Sequence, residues 1–330
     1  MSDDATLAYL NLHPDQILDA LDDLGYRCDG RFLTLNSYEN RVYQVGLEDA
    51  PPVVAKFYRP GRWPDAAILE EHVFSQELAA SEIPVVAPDE RDGRTLHSSG
   101  PFRVAVAPYR GGRAPDLDNE TLLRQLGRLV ARIHLVGETR PFQHRPHLDI
   151  ESYGVASRDF LLENEFIPPD IATTYRGLVE HLFDNIEACF ERAGRVEELR
   201  LHGDFHPGNV LVDGEALHIV DLDDARTGPA VQDLWMFLSG DRHEQTPQLN
   251  VLLDGYEEFR RFDARELHLV EALRTLRIMH YAAWIARRYQ DPAFVTAFPW
   301  FGTARYWDDH ILSLREQLAL MQEPPLEWHL

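Results

Sequence analysis

Apolar and polar positions along the chain follow two different periods, and the change between them divides it. From about Pro14 to Leu24, residues Ile17, Leu21 and Leu24 share one helical face, with Pro14 in the first turn and Gly25 as the stop. The period then drops to two. RFLTLNSYENRVYQVGLED (31–49) and PPVVAKFYRP (51–60) predict strands interrupted by the polar turns NSYEN and EDAPP, with Lys56 in mid-strand. A helix is expected from about Pro64 to Ala80, where Pro64 and Asp65 suit the free N–H groups of a first turn. RTLHS and FRVAVAPY predict two further strands. Beyond RGGRAPD the texture turns helical: residues 119–136 place Leu122, Leu126, Leu129, Val130 and Ile133 at helical spacing, and 171–193, 230–238, 248–261, 264–289 and 305–321 do likewise. There is no internal repeat. The expected organisation is α+β and bilobal, with a small sheet-rich lobe over 1–110 and a larger helical lobe over 111–330, joined near Gly111 and Gly112. A cleft between such lobes is a usual place for a ligand.

Composition narrows the partners. With 330 residues, 44% of them hydrophobic, the chain can bury a sizeable core, while a formal net charge of −23 opposes nucleic acid and anionic membranes. Cys28 and Cys189 are too few for a disulfide framework, and the acidic start MSDDATLAYL is unlike a signal peptide. A cytoplasmic protein is expected, with no membrane span and as a monomer. The 32 basic residues include a single lysine, Lys56. A compact ammonium aimed at a point charge is not replaceable by a planar guanidinium, so this lysine gains interest if its surroundings form a site.

The densest polar cluster is HGDFHPGN, residues 202–209. On an extended segment His202, Asp204 and His206 would share one side, as zinc ligands can, but no second cluster of ligands accompanies them. A second pattern fits better: Asp204 and Asn209 have the spacing of the protein-kinase catalytic loop H-R-D-x-x-x-x-N, with His202 two positions before the Asp. NVLVDGEALHIVD follows as a hairpin about Asp213-Gly214, and this register sets Asn209 opposite Val220 and therefore beside Asp221. An amide oxygen and a carboxylate then converge as hard ligands suited to Mg²⁺.

Phosphoryl transfer needs metal, a carboxylate to orient or deprotonate the hydroxyl, and a lysine on the phosphates. Asp204 and Asp221 are the catalytic candidates, with Asn209 and Asp221 holding metal. Lys56 would bind phosphate. Its carboxylate partner is expected from the following helix, where Ala67, Glu71, Phe74 and Leu78 share a face and single out Glu71, with Glu70 and Glu77 turned aside. NSYEN has no glycine, so Ser37 and nearby backbone N–H groups would contact phosphate there. VAPYRGG (106–112) would offer backbone groups to adenine around Ala107 to Tyr109. The arginine-rich helix 271–290 is expected to pack its apolar face and solvate its arginines.

Together these residues resemble the protein-kinase-like superfamily in its aminoglycoside phosphotransferase and choline kinase branch, whose catalytic loop reads H-G-D-x-x-x-x-N. LNSYENRVYQV, VAKFYRPGRW, ILEEH, LHGDFHPGN, VDLDDARTGPAVQDLWM and AFPWF are similar to bacterial serine/threonine protein kinases of this branch over nearly the whole chain. The resemblance implies ATP- and Mg²⁺-dependent phosphorylation of Ser and Thr in proteins, with autophosphorylation and a role in stress survival. It implies Asp204 as proton acceptor, Asn209 and Asp221 on Mg²⁺, Ser37 at the ATP site and Asp233 supporting the catalytic loop. Where ordinary protein kinases carry arginine in that loop this chain has Gly203, DLD stands in place of D-F-G, and no A-P-E follows, so switching by activation-loop phosphorylation is not expected. A small-molecule kinase acting on an amino alcohol or aminoglycoside, a zinc hydrolase and an ATP-binding pseudokinase are the competing readings.

Overall fold

The structure, a computed structural model, describes residues 9–35 and 37–329; the start of the chain, with most of MSDDATLAYL, and Asn36 of the NSYEN turn lie outside the described residues. The chain forms two compact units. The first comprises Met1–Pro115, Phe142–Arg145 and Pro207–Ala225, and the second Asp116–Pro141, Pro146–His206 and Arg226–Leu330. The division therefore differs from a single cut near residue 110, because the hairpin of 207–225 belongs with the first unit.

The first unit carries α1 (Pro14–Asp23), then β1 (Cys28–Thr34), β2 (Arg41–Leu47) and β3 (Val53–Phe57), α2 (Asp65–Ala80), β4 (His97–Ser99) and β5 (Phe102–Pro108). The strands make one five-stranded antiparallel sheet in the order β1-β2-β3-β5-β4. Alternation sorts the two faces. Tyr43 and Val45 of β2, Val53, Ala55 and Phe57 of β3, and Phe102, Val104 and Val106 of β5 are buried in one core with Ile17, Ala20 and Leu21 of α1. The intervening positions, Val42, Val54, Lys56, Ala105 and Ala107, face the other way, and Lys56 is registered between Val42 and Ala105.

β7 (Val210–Asp213) and β8 (Ala216–Ile219) form the expected hairpin around Gly214-Glu215, in the expected register: Val210 pairs with Ile219, and the Val220 N–H donates to the Asn209 carbonyl at 3.0 Å. The hairpin is tied into the unit on both sides. Val85 bridges Ile219, with Val86 N–H on the Ile219 carbonyl and Ile219 N–H on Pro84, both at 2.8 Å, and Arg113 bridges Val212.

The second unit is helical. α3 (Glu120–Gly137), α4 (Ala156–Glu163), α5 (Pro169–Ala193), α6 (Gln232–Trp235), α7 (Arg242–Glu257), α8 (Val270–Ala286), α9 (Pro292–Ala297) and α10 (Ala304–Leu320) surround one antiparallel pair, β6 (Glu198–Leu201) with β9 (Arg226–Pro229). α3 and α7 approach through Gly127 and Gly255, where an added Cβ would strike the facing backbone at Leu252 and Arg124. α7 begins six residues before the expected 248 because Asp241 and Glu244 form a capping box: Asp241 Oδ1 accepts from His243 N and Glu244 N, and Glu244 Oε2 accepts from Asp241 N. The expected 230–238 helix is only the single turn of α6, and 264–289 starts as a 3₁₀ segment, Ala264–Leu269. No described helix is long and apolar enough to cross a membrane.

Candidate active site

On its lysine-bearing face the first unit holds a cavity of about 320 Å³, lined at one end by Ser37, Lys56, Glu71, Asn209 and Asp221. The rest of its lining is mostly apolar, with Val42, Val54, Val86, Ala105, Ala107 and Leu211, and also holds His72, Ser75 and Arg110. An aliphatic slot with charge at one end suits a flat base joined to an anionic tail. Ala107, Pro108 and Tyr109 border it as expected of the strap. The Tyr109 N–H, however, already donates to the Pro52 carbonyl at 3.2 Å.

Five of the expected residues are thus brought together, but the pairing expected for the lysine is not formed. Lys56 Nζ lies 2.9 Å from Asp223 Oδ1 and 3.6 Å from Asp221 Oδ1. Glu71 is on the cavity wall and 5% exposed, as its helical phase requires, yet its Oε2 has no hydrogen-bond partner among the described residues. The partner of Lys56 is a carboxylate from the turn after the hairpin, and Glu71 acts on the lysine through its field. Burial would lower the Lys56 pKa, but Tyr58, Glu71 and Asp221 outweigh it and hold the ammonium charged above its ordinary range. Burial would likewise raise the Glu71 carboxyl, and Lys56 foremost, with His72, Arg145 and Arg62, keeps it below the usual carboxylate range.

Asp223 was not singled out by the sequence, nor were the groups that hold it. It is 3% exposed, ion-paired with Arg62, and accepts from Asn40 Nδ2 at 3.0 Å. Arg62 also reaches Asp224 Oδ1 at 2.9 Å, and Arg145 Nη2 donates to the Asp223 carbonyl at 2.5 Å. Asn40 closes the NSYEN turn, its Oδ1 accepting from Arg59 N at 3.0 Å. Asp221 stands at φ 63, ψ 63, the left-handed region, which costs a non-glycine residue roughly 1 kcal/mol and which Asp tolerates better than most.

In the second unit the backbone of His202 and Gly203 is held by Asp233 of α6, the residue that the resemblance gives as the support of this loop. Its fully buried carboxylate accepts from His202 N and Gly203 N, each at 2.8 Å, and lies 3.3 Å from His134 Nε2. Burial holds the His134 imidazole below its ordinary pKa, and its Nδ1 is 2.9 Å from the Tyr256 hydroxyl. Gly203 sits at φ 83, where a side chain would be strained, and Gln232 Nε2 donates to its carbonyl at 3.0 Å. His202 is buried and stacks on Phe205 at 4.7 Å, turned into the core, so His202, Asp204 and His206 do not assemble a zinc site. Among the described residues no group of three or more metal-ligating side chains occurs.

Asp204 is ion-paired through Oδ1 with Arg277 of α8, and its Oδ2 lies 3.5 Å from His206 Nε2. Arg277 and Arg274 line a second cavity, of about 480 Å³, with Trp235, Tyr281, Tyr306 and Asp309. The apolar face of α8 is buried as expected, but these two arginines are not simply solvated. Their side chains are 34% and 22% exposed, and Arg274 lies over the Trp235 ring. No sequence spacing links Arg277 to Asp204, which is why the sequence missed it.

Comparison with known proteins agrees with this geometry. The phosphotransferase enzyme family (APH) matches residues 32–270. The chain is 43% identical to stress response kinase A of Escherichia coli K12, over 98% of each chain. It is 41% identical to serine/threonine protein kinase RdoA of Salmonella typhimurium, over 99% of this chain and 98% of that one. Among solved structures, amicoumacin kinase hAmiN, in complex with AMP-PNP, Ca²⁺ and Ami, superposes with a TM-score of 0.71 at 18% identity over 95% of each chain. The microcompartment-associated aminopropanol kinase gives 0.69 at 18% identity, covering 93% of this chain and 96% of that one. The α+β kinase-like fold and the resemblance read from the motifs are thereby shown, and the chain belongs to the phosphotransferase enzyme family.

Proposed function

We propose that this phosphotransferase is a serine/threonine protein kinase that uses ATP and Mg²⁺, phosphorylates itself as well as other proteins, and acts in the cytoplasm in a stress response. The observation that carries the nucleotide half is the cavity in which Lys56, Asn209 and Asp221 meet an apolar slot. Two oxygen donors, one of them a carboxylate, fit Mg²⁺, which keeps its remaining positions for waters and phosphate oxygens. Asn209 and Asp221 would hold it, and the ion when bound neutralises phosphate charge. Lys56, its ammonium fixed by Asp223, would grip the phosphates, and Ser37 would bind them from the NSYEN turn.

Asp204 orients the acceptor hydroxyl and accepts its proton. The hydroxyl oxygen bonds to the γ-phosphorus, the bond to the bridging oxygen breaks, and its electron pair leaves with ADP. Asp233 keeps the backbone of this loop in place. The names of the curated relatives support the protein acceptor and the stress role. The competing reading, a kinase of amino alcohols or related small molecules, is favoured by what the solved neighbours act on.

Transfer of label from ATP to a generic protein, to the chain itself and to a panel of amino alcohols separates the two. Label confined to small molecules would overturn the protein-kinase reading. Asp204→Asn should lower transfer by at least about 10²-fold with nucleotide binding retained, and near-normal turnover would remove Asp204 from its role.

A further inference from the structure

The cavity of the second unit has a chemistry that bears on which hydroxyl is phosphorylated. Its two cations are Arg274 and Arg277, and its one lining carboxylate outside the catalytic loop is Asp309, which lies 3.7 Å from Arg305. Arg274 is already paired, with Glu271 at 3.2 Å. Arg277 differs. A guanidinium has five N–H donors, and among the described residues the one partner of Arg277 is Asp204, reached through Nη1. Its remaining donors border the cavity, with Tyr281 and Tyr306 as neighbouring walls. His310, also lining the cavity, adds no positive charge near neutrality, since burial pushes its pKa down to about 4.

An ammonium-bearing acceptor would enter here against two arginines, and the carboxylate available to receive it, Asp204, is already bound to one of them. An acceptor carrying a carboxylate beside its hydroxyl meets the opposite situation. Its anion takes the unused donors of Arg277 in a planar, bidentate contact. The guanidinium then bridges the acceptor anion and Asp204, which brings the hydroxyl next to the group that receives its proton.

We propose that Arg277 is the acceptor-specificity residue of this enzyme and selects a hydroxyl flanked by a negative charge, in a protein a Ser or Thr beside Asp or Glu. This rests on the kinase reading above and names its acceptor class. The same chemistry is available in small hydroxy acids, so both sources enter the test.

The experiment uses the full chain with labelled ATP and Ser peptides that differ only in having Glu, Ala or Lys beside the acceptor, with small hydroxy acids and amino alcohols in parallel. The Glu-flanked peptide should exceed the Ala-flanked one by about tenfold in kcat/KM, mostly through KM, and the Lys-flanked one should be poorest. Arg277→Gln should bring the Glu-flanked substrate down to the level of the Ala-flanked one with the KM for ATP unchanged, and Arg274→Gln should have a smaller effect. A Glu-flanked peptide with Ala in place of Ser should inhibit the parent more strongly than the Arg277→Gln variant, a binding readout that does not need turnover. Preference for a hydroxy acid over every peptide would keep the charge rule and assign the small-molecule source. Equal use of the three peptides, preference for Lys flanks, or an equal loss on all substrates in Arg277→Gln would overturn the proposal while leaving the kinase reading intact. Transfer to no acceptor at all, with ATP bound, would overturn both.

Discussion

Asp233→Asn is the most discriminating change in the second unit, because it alters one atom of a fully buried carboxylate that bonds the loop backbone just before Asp204. The carboxylate receives the His202 and Gly203 N–H groups at 2.8 Å on its two different oxygens. An amide presents one oxygen, so whichever way it turns, an NH₂ faces one of these backbone donors. The lost charge-assisted bond is worth about 1.5–3 kcal/mol, and the stranded N–H costs a further ~1–3 kcal/mol where water cannot reach it. Allowing for relaxation, the loss should be about 3–5 kcal/mol, which lowers Tm by roughly 6–20 °C for a unit of this size. Phosphoryl transfer should fall with it, because the backbone that carries Asp204 loses its anchor. Nucleotide affinity should not change, since Lys56, Asn209 and Asp221 belong to the first unit. Calorimetry, ATP-analogue titration and a transfer assay on the same preparation read the three quantities. A variant that melts within about 2 °C of the parent and transfers at its rate would refute the anchoring role.

Asp221→Gly relaxes a left-handed backbone while removing a proposed metal ligand, so it should melt no lower than the parent yet lose Mg²⁺-dependent nucleotide affinity; titration with and without Mg²⁺ checks this. Asp223→Asn should impair ATP binding far more than Glu71→Gln, because Asp223 holds Lys56 and Arg62 while Glu71 Oε2 bonds to nothing described; the reverse order would restore the pairing expected from the helix phase. Two buried groups should pull stability in opposite directions across the same pH window, so that they offset each other in the parent. His310 is held at about 4 against an ordinary 6.5, so the unfolded chain takes its proton first and stability on the order of 3 kcal/mol is lost as pH falls from 6.5 towards 4. Burial raises Glu266 to about 7 from 4.5, so the folded chain keeps a proton the unfolded one has lost, and stability declines as pH rises through that window. His310→Phe should therefore leave stability falling as pH rises from 4.5 to about 7, and Glu266→Gln should leave it falling as pH drops from 6.5 to about 4, in denaturant titrations across pH.

Alternation made Lys56 legible as a cavity-facing residue, and the Asp213-Gly214 turn made the Asn209–Val220 pairing legible, because both follow from local period and turn length. What the sequence did not carry is which side chain meets which across elements. The phase of α2 put Glu71 on the buried face but is silent on whether a carboxylate from another segment reaches Lys56 first. Asp223 does so from a 3₁₀ turn, Leu222–Asp224, entered through the left-handed Asp221, a path no periodicity announces. Arg277 meets Asp204 from far along the chain. β6 and β9 were missed because ELRL and RTGP are too short to alternate visibly, and α4 and α9 because so few turns give little phase to read.

The segment that follows the metal-ligand candidates carries a consequence for control. Between Asp224 and Gly240 the only hydroxyl side chains are Thr227 and Ser239. Thr227 is 5% exposed and stitched into the β6–β9 ladder opposite Arg200. A modifying enzyme would have to unravel this strand to reach it, whereas Ser239 is exposed at the far end of the stretch, so a phosphate added to this segment would sit at its edge and leave the β6–β9 seam undisturbed.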